Sequence, residues 1–274
     1  MPLIRHIEPP PGCRVRFLSD LHLAHKRSTA PAPAMLMEQM QGIDMLVLCG
    51  DTAEVRSCGE LRARSEALRD ELRRLCRERG VELVEIAGNH DSDIETMLAS
   101  FWGGRVVAMH GHELLKTVSP WGREYLENKD AIRALIAAHP EAEHDLAAAL
   151  MLTRLITCEL ERCAAQAGQA RAHGFLHELY HCFWPPERPF SIVWNWLTCA
   201  SRAEKWMQRY LPNADTLIIG HFHRPGRRRI GKRLILNTGA WFEHATPYAV
   251  DMQDGKLIDY KAFPKSAQST SRNF

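Results

Sequence analysis

A chain of 274 residues is long enough to bury a large core, as one domain or as a catalytic domain carrying an insertion. Its 25% charged and 45% hydrophobic residues are those of an ordinary globular protein and exclude a disordered or fibrous chain. A net charge of +2 gives no whole-chain case for nucleic acid or membrane binding, so any such contact must rest on a local patch.

The N-terminal stretch Met1 to Val15 carries Arg5, Glu8 and three consecutive prolines where a signal peptide needs an apolar core. Eight scattered cysteines without a C-x-x-C pair fit reduced thiols, and a cytoplasmic location is expected. Apolar, β-branched runs at Arg14 to Leu18, Met45 to Cys49, Val81 to Ala87 and Arg105 to Met109 read as buried strands feeding loops. Between them, Leu61, Leu68, Leu72, Leu75 and Cys76 recur at helical spacing in Glu60 to Arg79. From Trp121 to Tyr210 long helical patterns take over, at Ala131 to His139, Asp145 to Cys163 and Ile192 to Tyr210. The last of these has an apolar stripe through Val193, Trp196, Leu197, Ala200, Ala203, Met207 and Tyr210. The uncharged run Pro189 to Ser201 is shorter than the ~20 residues of a membrane-spanning helix. Strands return at Thr216 to Ile219, Leu234 to Asn237, Tyr248 to Asp251 and Lys256 to Tyr260. The organisation expected is an α/β core over 1–120 and 211–264, a helical insertion over 121–210 and a frayed tail over 265–274.

Five short motifs sit where these strands end. Asp20-Leu21-His22 can aim a carboxylate and an imidazole the same way, because residues i and i+2 of an extended chain share a side. Gly50-Asp51 offers two carboxylate oxygens, which suits bridging two cations. Gly88-Asn89-His90-Asp91 adds an amide oxygen and an imidazole, and His110-Gly111-His112 and Gly220-His221-Phe222-His223 add further imidazoles. Any one of these could be turn capping, but five in succession at strand ends point to a metal site.

In their order and spacing these motifs resemble the calcineurin-like metallophosphoesterases, over most of the chain outside the helical insertion. The resemblance implies a four-layer β-sandwich flanked by helices, with the insertion as a cap. It implies one metal held by Asp20, His22, Asp51 and His223 and a second by Asp51, Asn89, His110 and His221, with Asp51 bridging. Two such ions activate a water and clamp a phosphoryl group, so hydrolysis of a phosphoester is expected. The resemblance places His90 near the leaving group, as general acid or transition-state stabiliser. Asp91 either orients it or caps the turn. Oxygen and nitrogen ligands without thiolate point to manganese first, with iron, zinc or magnesium as alternatives.

Within that family, Asp20-Leu21-His22-Leu23, Gly50-Asp51 with Glu54, His110-Gly111, Gly220-His221-Phe222-His223-Arg224-Pro225 and Asn237-Thr238-Gly239-Ala240-Trp241 look most like the UDP-2,3-diacylglucosamine pyrophosphatases of lipid A synthesis. That group has arginine where this chain has His90, and aspartate where it has His112. Trp184, Trp194, Trp196 and Trp206 could line an acyl cleft, although helix packing is the commoner use of such a stripe. Arg27, Arg227, Arg228 and Arg229 are candidates for an anionic substrate, nucleotide-linked, lipid-linked or nucleic acid, with a solvated basic loop as the plain alternative. The resemblance leaves room for peripheral contact with the inner membrane face through the cap and implies no obligate protein partner.

A competing signal is His177-Glu178-Leu179-Tyr180-His181, the H-E-x-x-H of zinc proteases, with His173 on the same face. Against a protease, Phe183-Trp184-Pro185-Pro186 ends that helix at once and no H-x-x-G-x-x-H continuation follows. A binding scaffold that has lost catalysis would lack ligands, whereas all seven positions are filled here.

Overall fold

Strands buried on both faces need continuous apolar sequence, and the centre of the protein is made of such strands. The computed structural model describes residues 2–120, 122–168 and 187–263. His173, the segment His177 to His181, Trp184 and the expected tail Lys265 to Phe274 lie outside the described residues. The chain divides into two compact units, Met1–Gly111 with Leu211–Phe274, and His112–Tyr210.

In the first unit β2 (Arg14–Leu18), β3 (Met45–Cys49) and β4 (Glu82–Ile86) run parallel. Strands β10 (Tyr248–Gln253) and β11 (Lys256–Ala262) join antiparallel, giving the order β11-β10-β2-β3-β4. The second sheet contains β1 (Ile4–Ile7), β5 (Leu98–Phe101), β6 (Val106–Met109), β7 (Thr216–Ile219), β8 (Gly226–Ile230) and β9 (Arg233–Asn237), in the order β1-β5-β6-β7-β9-β8.

The pleat sorts side chains to the two faces of each sheet. Phe17, Val47 and Val84 of the five-stranded sheet pack with Phe101, Ala108, Ile218 and Leu236 of the six-stranded one. The Phe17 and Phe101 rings meet edge to face at 5.3 Å. The alternate residues Leu18, Leu46 and Leu48 face outward onto α1 (Pro33–Glu38) and α2 (Gly59–Glu78) through Leu36, Met37, Leu72 and Cys76. Two mixed sheets flanked by helices are the α/β sandwich that the alternation of strand and helix predicts.

Strands β1, β5 and β8 were not predicted. The first two are only four residues long. Gly226–Ile230 reads as a basic loop, yet it pairs with β9 as an edge strand, where charged side chains can reach water.

The second unit contains α3 (Arg123–Glu127), α4 (Lys129–Ala138), α5 (Leu146–Gly168) and α6 (Glu187–Tyr210). Its core gathers Val118, Ile132, Ile156 and Leu160, and Tyr210 Oη donates to the Ala142 carbonyl at 2.6 Å. The apolar stripe expected of α6 is buried at Ala203 and Met207 but exposed at Val193, Trp196 and Leu197, and Phe190 and Trp194 of the same helix are exposed too. Among the described residues no helix is long and apolar enough to cross a membrane.

Burial pushes the Cys76 thiol up to about 11 and that of Cys199 up to about 12, while Cys58 is exposed. A thiol reagent at pH 8 should therefore label Cys58 at once and leave Cys76 and Cys199 intact until denaturant is added, as read by peptide mass spectrometry.

Candidate metal centre

Parallel pairing brings the ends of β2, β3 and β4 to one end of their sheet, and β6 and β7 do the same in theirs. All five motifs follow these strand ends. Main-chain bonds continue the pairing past the strands, from Asp20 N–H to Gly50 O at 3.0 Å, His22 N–H to Asp51 O at 2.9 Å and Gly220 N–H to His110 O at 2.7 Å.

At these ends the backbone leaves the ordinary regions. Asp20, His22, Asp51, His221 and His223 all have positive φ, between 46° and 65°. Left-handed backbone costs a non-glycine residue roughly 1–2 kcal/mol, so five such residues side by side mark a site where the surrounding fold imposes the geometry. Gly88 and Gly220 allow the close approach. A Cβ on Gly88 would strike the Asp51 carboxylate and main-chain nitrogen, and one on Gly220 would strike Asp20 and Ser19.

The donor atoms converge on two carboxylates. Asp51 Oδ2 lies 3.3 Å from His110 Nε2, 3.7 Å from His22 Nε2 and 4.0 Å from His90 Nε2. Asp20 Oδ1 lies 3.2 Å from His223 Nε2 and 3.9 Å from His22 Nε2. Asn89 Oδ1 is 3.3 Å from His110 Nε2, whose ring lies 5.0 Å from that of His221. The structure thus brings all seven predicted ligand residues to one place. Among the described residues three groups have ligand atoms close enough to share an ion: Asp20, His22 and His223; His22, Asp51 and His90; and Asp20, Asp51 and His110.

Hydrogen bonds on the far side of each ring decide what faces inward. His110 Nδ1 donates to the Cys49 carbonyl at 2.9 Å, and His22 Nδ1 donates to Glu54 Oε1 at 2.6 Å. In each neutral ring Nε2 then carries a lone pair, and both point at carboxylate oxygens. His22 Nε2 is buried and has no hydrogen-bond partner among the described residues. Lone pairs facing lone pairs repel unless a cation lies between them. Separations of 3.2–3.9 Å suit donors that each bind one divalent ion at about 2.0–2.2 Å. The residues present fit divalent metal ions.

The electrostatics agree. Burial alone would lift the Asp51 carboxyl and depress the His22 imidazolium. In both the neighbouring opposite charges win: His110 and His90 hold Asp51 well below the usual carboxylate range, and Glu54, Asp51 and Asp20 raise His22.

Two residues have parts that the sequence does not announce. Glu54 is buried and accepts from two imidazoles, His22 Nδ1 at 2.6 Å and His90 Nδ1 at 2.8 Å. Phe242 stacks beside His22 at 4.6 Å and His223 at 5.1 Å, and meets His25 at 5.2 Å. Of the two roles expected of Asp91 the structure has the capping one, and its carboxylate does not orient His90. It accepts the main-chain N–H groups of Gly88 at 2.7 Å, Thr52 at 2.7 Å and Asp51 at 3.1 Å, tying two ligand loops together. The orienting carboxylate is Glu54. Burial and the Arg56 charge hold His90 below its ordinary value, against Asp51 and Glu54.

The basic candidates lie elsewhere. Arg27 is exposed on the loop after His22, with its N–H on His25 Nδ1 at 3.1 Å. Arg227, Arg228 and Arg229 occupy edge strand β8, and pairing sets Arg229 level with Leu234 and Thr216, at the start of β7 rather than its ligand end. They are not brought into the metal cluster.

A buried Asp/His/Asn centre at the converging strand ends of a two-sheet α/β sandwich defines a metal-dependent hydrolase. Residues 14–252 match the calcineurin-like phosphoesterase superfamily domain, and the chain belongs to that superfamily as a metal-dependent phosphoester hydrolase. Similar solved structures include the cold-active protein-tyrosine phosphatase of a psychrophilic Shewanella species, 12% identical over 96% of this chain and 83% of its own with a TM-score of 0.46. Vps29 of Entamoeba histolytica complexed with zinc is 13% identical over 92% and 99%, with a TM-score of 0.41. A conserved protein of Streptococcus pneumoniae TIGR4 described as a predicted phosphoesterase is 13% identical over 88% and 83%, at 0.37. No curated protein matches the sequence.

The crowding at Gly88 gives a test. Gly88→Ala should displace the Asp51 carboxylate and lower bound metal, measured by elemental analysis, with hydrolysis down ~100-fold and the circular dichroism spectrum retained.

Proposed function

We propose that the protein hydrolyses a phosphoester or pyrophosphate bond with two divalent ions, one held by Asp20, His22, Asp51 and His223 and the other by Asp51, Asn89, His110 and His221. The observation that carries this reading is the position of Asp51, whose Oδ2 lies within 3.7 Å of Nε2 of both His22 and His110, one from each set. When bound, the ions supply Lewis acidity toward phosphoryl oxygens and lower the pKa of water. Manganese is the proposed metal, because the donors are carboxylate, amide and imidazole without sulfur.

The chain's own groups position and protonate. Asp91, through three main-chain N–H groups, holds the loops that aim Asp51 and Asn89. His90 donates Nδ1–H to Glu54, which turns Nε2 toward the cluster at 4.0 Å from Asp51 Oδ2. Glu54 is held below the usual carboxylate range chiefly by its hydrogen bonds to His22 and His90, against burial, so it stays ionised and fixes both rings. Against burial and Arg56, Asp51 and Glu54 favour the imidazolium of His90, and in that form His90 gives its Nε2 proton to the departing oxygen.

For the substrate we propose a UDP-2,3-diacylglucosamine-like pyrophosphate. The five sequence strings that resemble that enzyme group support it, and the helical unit is proposed as the cap, at a cytoplasmic location. The decisive comparison is of a UDP-linked pyrophosphate, a phosphodiester and a phosphomonoester on one manganese-loaded preparation. The pyrophosphate should be turned over fastest; faster turnover of a dinucleotide diester would favour a nuclease-type phosphodiesterase instead. Asp51→Asn should abolish turnover of all three, and activity surviving that change would sink the two-ion reading.

The role of His90 predicts a leaving-group pattern. His90→Ala should slow an alkyl phosphate ester by ~10²–10⁴-fold and a p-nitrophenyl ester far less, since nitrophenolate departs without a proton. Glu54→Gln should reproduce this pattern in weaker form and also reduce metal affinity ~10–100-fold, measured by competition with a chelating dye.

A further inference from the structure

A cavity of about 630 Å³ opens within the first unit where the edges of the two sheets face each other. Its position follows from the strand register. Arg229 pairs with Leu234, Leu234 with Thr216 and Thr216 with Val106, so these four side chains form one row across the six-stranded sheet and share a face. Leu234 and Val106 belong to the core between the sheets, so the shared face is the inner one. Arg229, and Arg227 two residues before it, therefore project from edge strand β8 toward the space between the sheets rather than away from it. Leu257 and Tyr260 of β11, the edge of the other sheet, pack against the same core and line the opposite wall.

The charge in this cavity is unbalanced. Arg105, Arg227, Arg229, Lys232 and Lys256 line it, against Asp215 and Asp259. Both carboxylates already have partners, Asp215 with Arg105 at 3.2 Å and Asp259 with Lys261 at 2.8 Å. Arg227, Arg229, Lys232 and Lys256 form no ion pair with any described carboxylate. Four such cations around a cavity with an apolar floor and an aromatic side chain match an organic anion bearing several negative charges. The volume lies within the ~300–1,000 Å³ range of small-molecule sites. The metal ligands lie beyond the other end of the same strands: the row through Val106 and Thr216 starts β6 and β7, and His110 and His221 follow their far ends, roughly 13 and 17 Å along at ~3.3 Å per residue.

We propose that this cavity is a second anion site, separate from the metal centre, which binds a nucleotide-sized molecule carrying at least two phosphate groups. Arg227 and Arg229 grip the phosphates, Lys232 and Lys256 complete the charge, and Leu257 and Tyr260 contact the organic body. The proposal does not depend on which phosphoester the metal centre hydrolyses. Inward arginines on an edge strand also discourage strand-to-strand association, a role that needs no ligand.

Titration calorimetry of the full, metal-loaded chain with ADP separates these uses. In the Asp51→Asn variant, binding at the cavity should persist. In Arg227→Ala/Arg229→Ala it should weaken at least tenfold, with an unchanged thermal melt as the check on folding, and Arg227→Lys/Arg229→Lys should recover part of the loss. Binding abolished by Asp51→Asn and untouched by the arginine changes would assign ADP to the metal centre and overturn the proposal. No detectable binding would leave edge protection as the arginines' role and overturn it equally. A single-stranded oligonucleotide that binds through Arg227 and Arg229 where ADP does not would replace the small molecule with a nucleic-acid backbone.

Discussion

The structure is organised around a carboxylate that cannot reach water. Asp51 is 1% exposed, one of its oxygens accepts the His90 N–H at 2.8 Å, and the other faces imidazole nitrogens on two sides. Burying an ionised carboxylate costs several kcal/mol unless opposite charge and hydrogen bonds surround it, so the fold must deliver that surround from several strands at once. Parallel pairing does so by ending β2, β3 and β4 together, and β6 and β7 bring His110 and His221 from the second sheet. The positive-φ turns at the ligands are the local cost of aiming so many donors inward from strands that run the same way.

What the sequence discloses depends on whether a contact is local. Met45–Cys49 and Thr216–Ile219 are legible residue for residue, because a strand covered on both faces is an unbroken apolar run. The metal ligands are legible because each follows such a run and carries a donor side chain. Glu54 is not: its two imidazole partners lie 32 and 36 residues away, and a glutamate in a loop carries no sign of them. Sequence adjacency leaves Asp91 open between orienting His90 and capping the turn, for the complementary reason. Standing beside His90 does not mean facing it, and the turn sends the carboxylate back onto the main chain. The arginines of β8 mislead similarly, since an edge strand rich in charge has the composition of a loop until its hydrogen-bonded neighbour is known.

The two sheets divide the labour of the first unit. At the end where parallel strands finish, donors are buried and shared; at the lateral edge, β8 and β11 leave cations around an open space between the layers. A sandwich whose layers are held mainly by apolar packing in the middle can carry polar chemistry at two separate places on its perimeter without either disturbing the other.

The hydrogen bond from residue 90 to Asp51 comes from the main chain, not from the imidazole. That part of the anchoring of the shared carboxylate is therefore independent of which side chain position 90 carries. The imidazole acts on the same carboxylate from its other oxygen, so position 90 touches Asp51 twice, once through a main chain common to every residue and once through a side chain that is not.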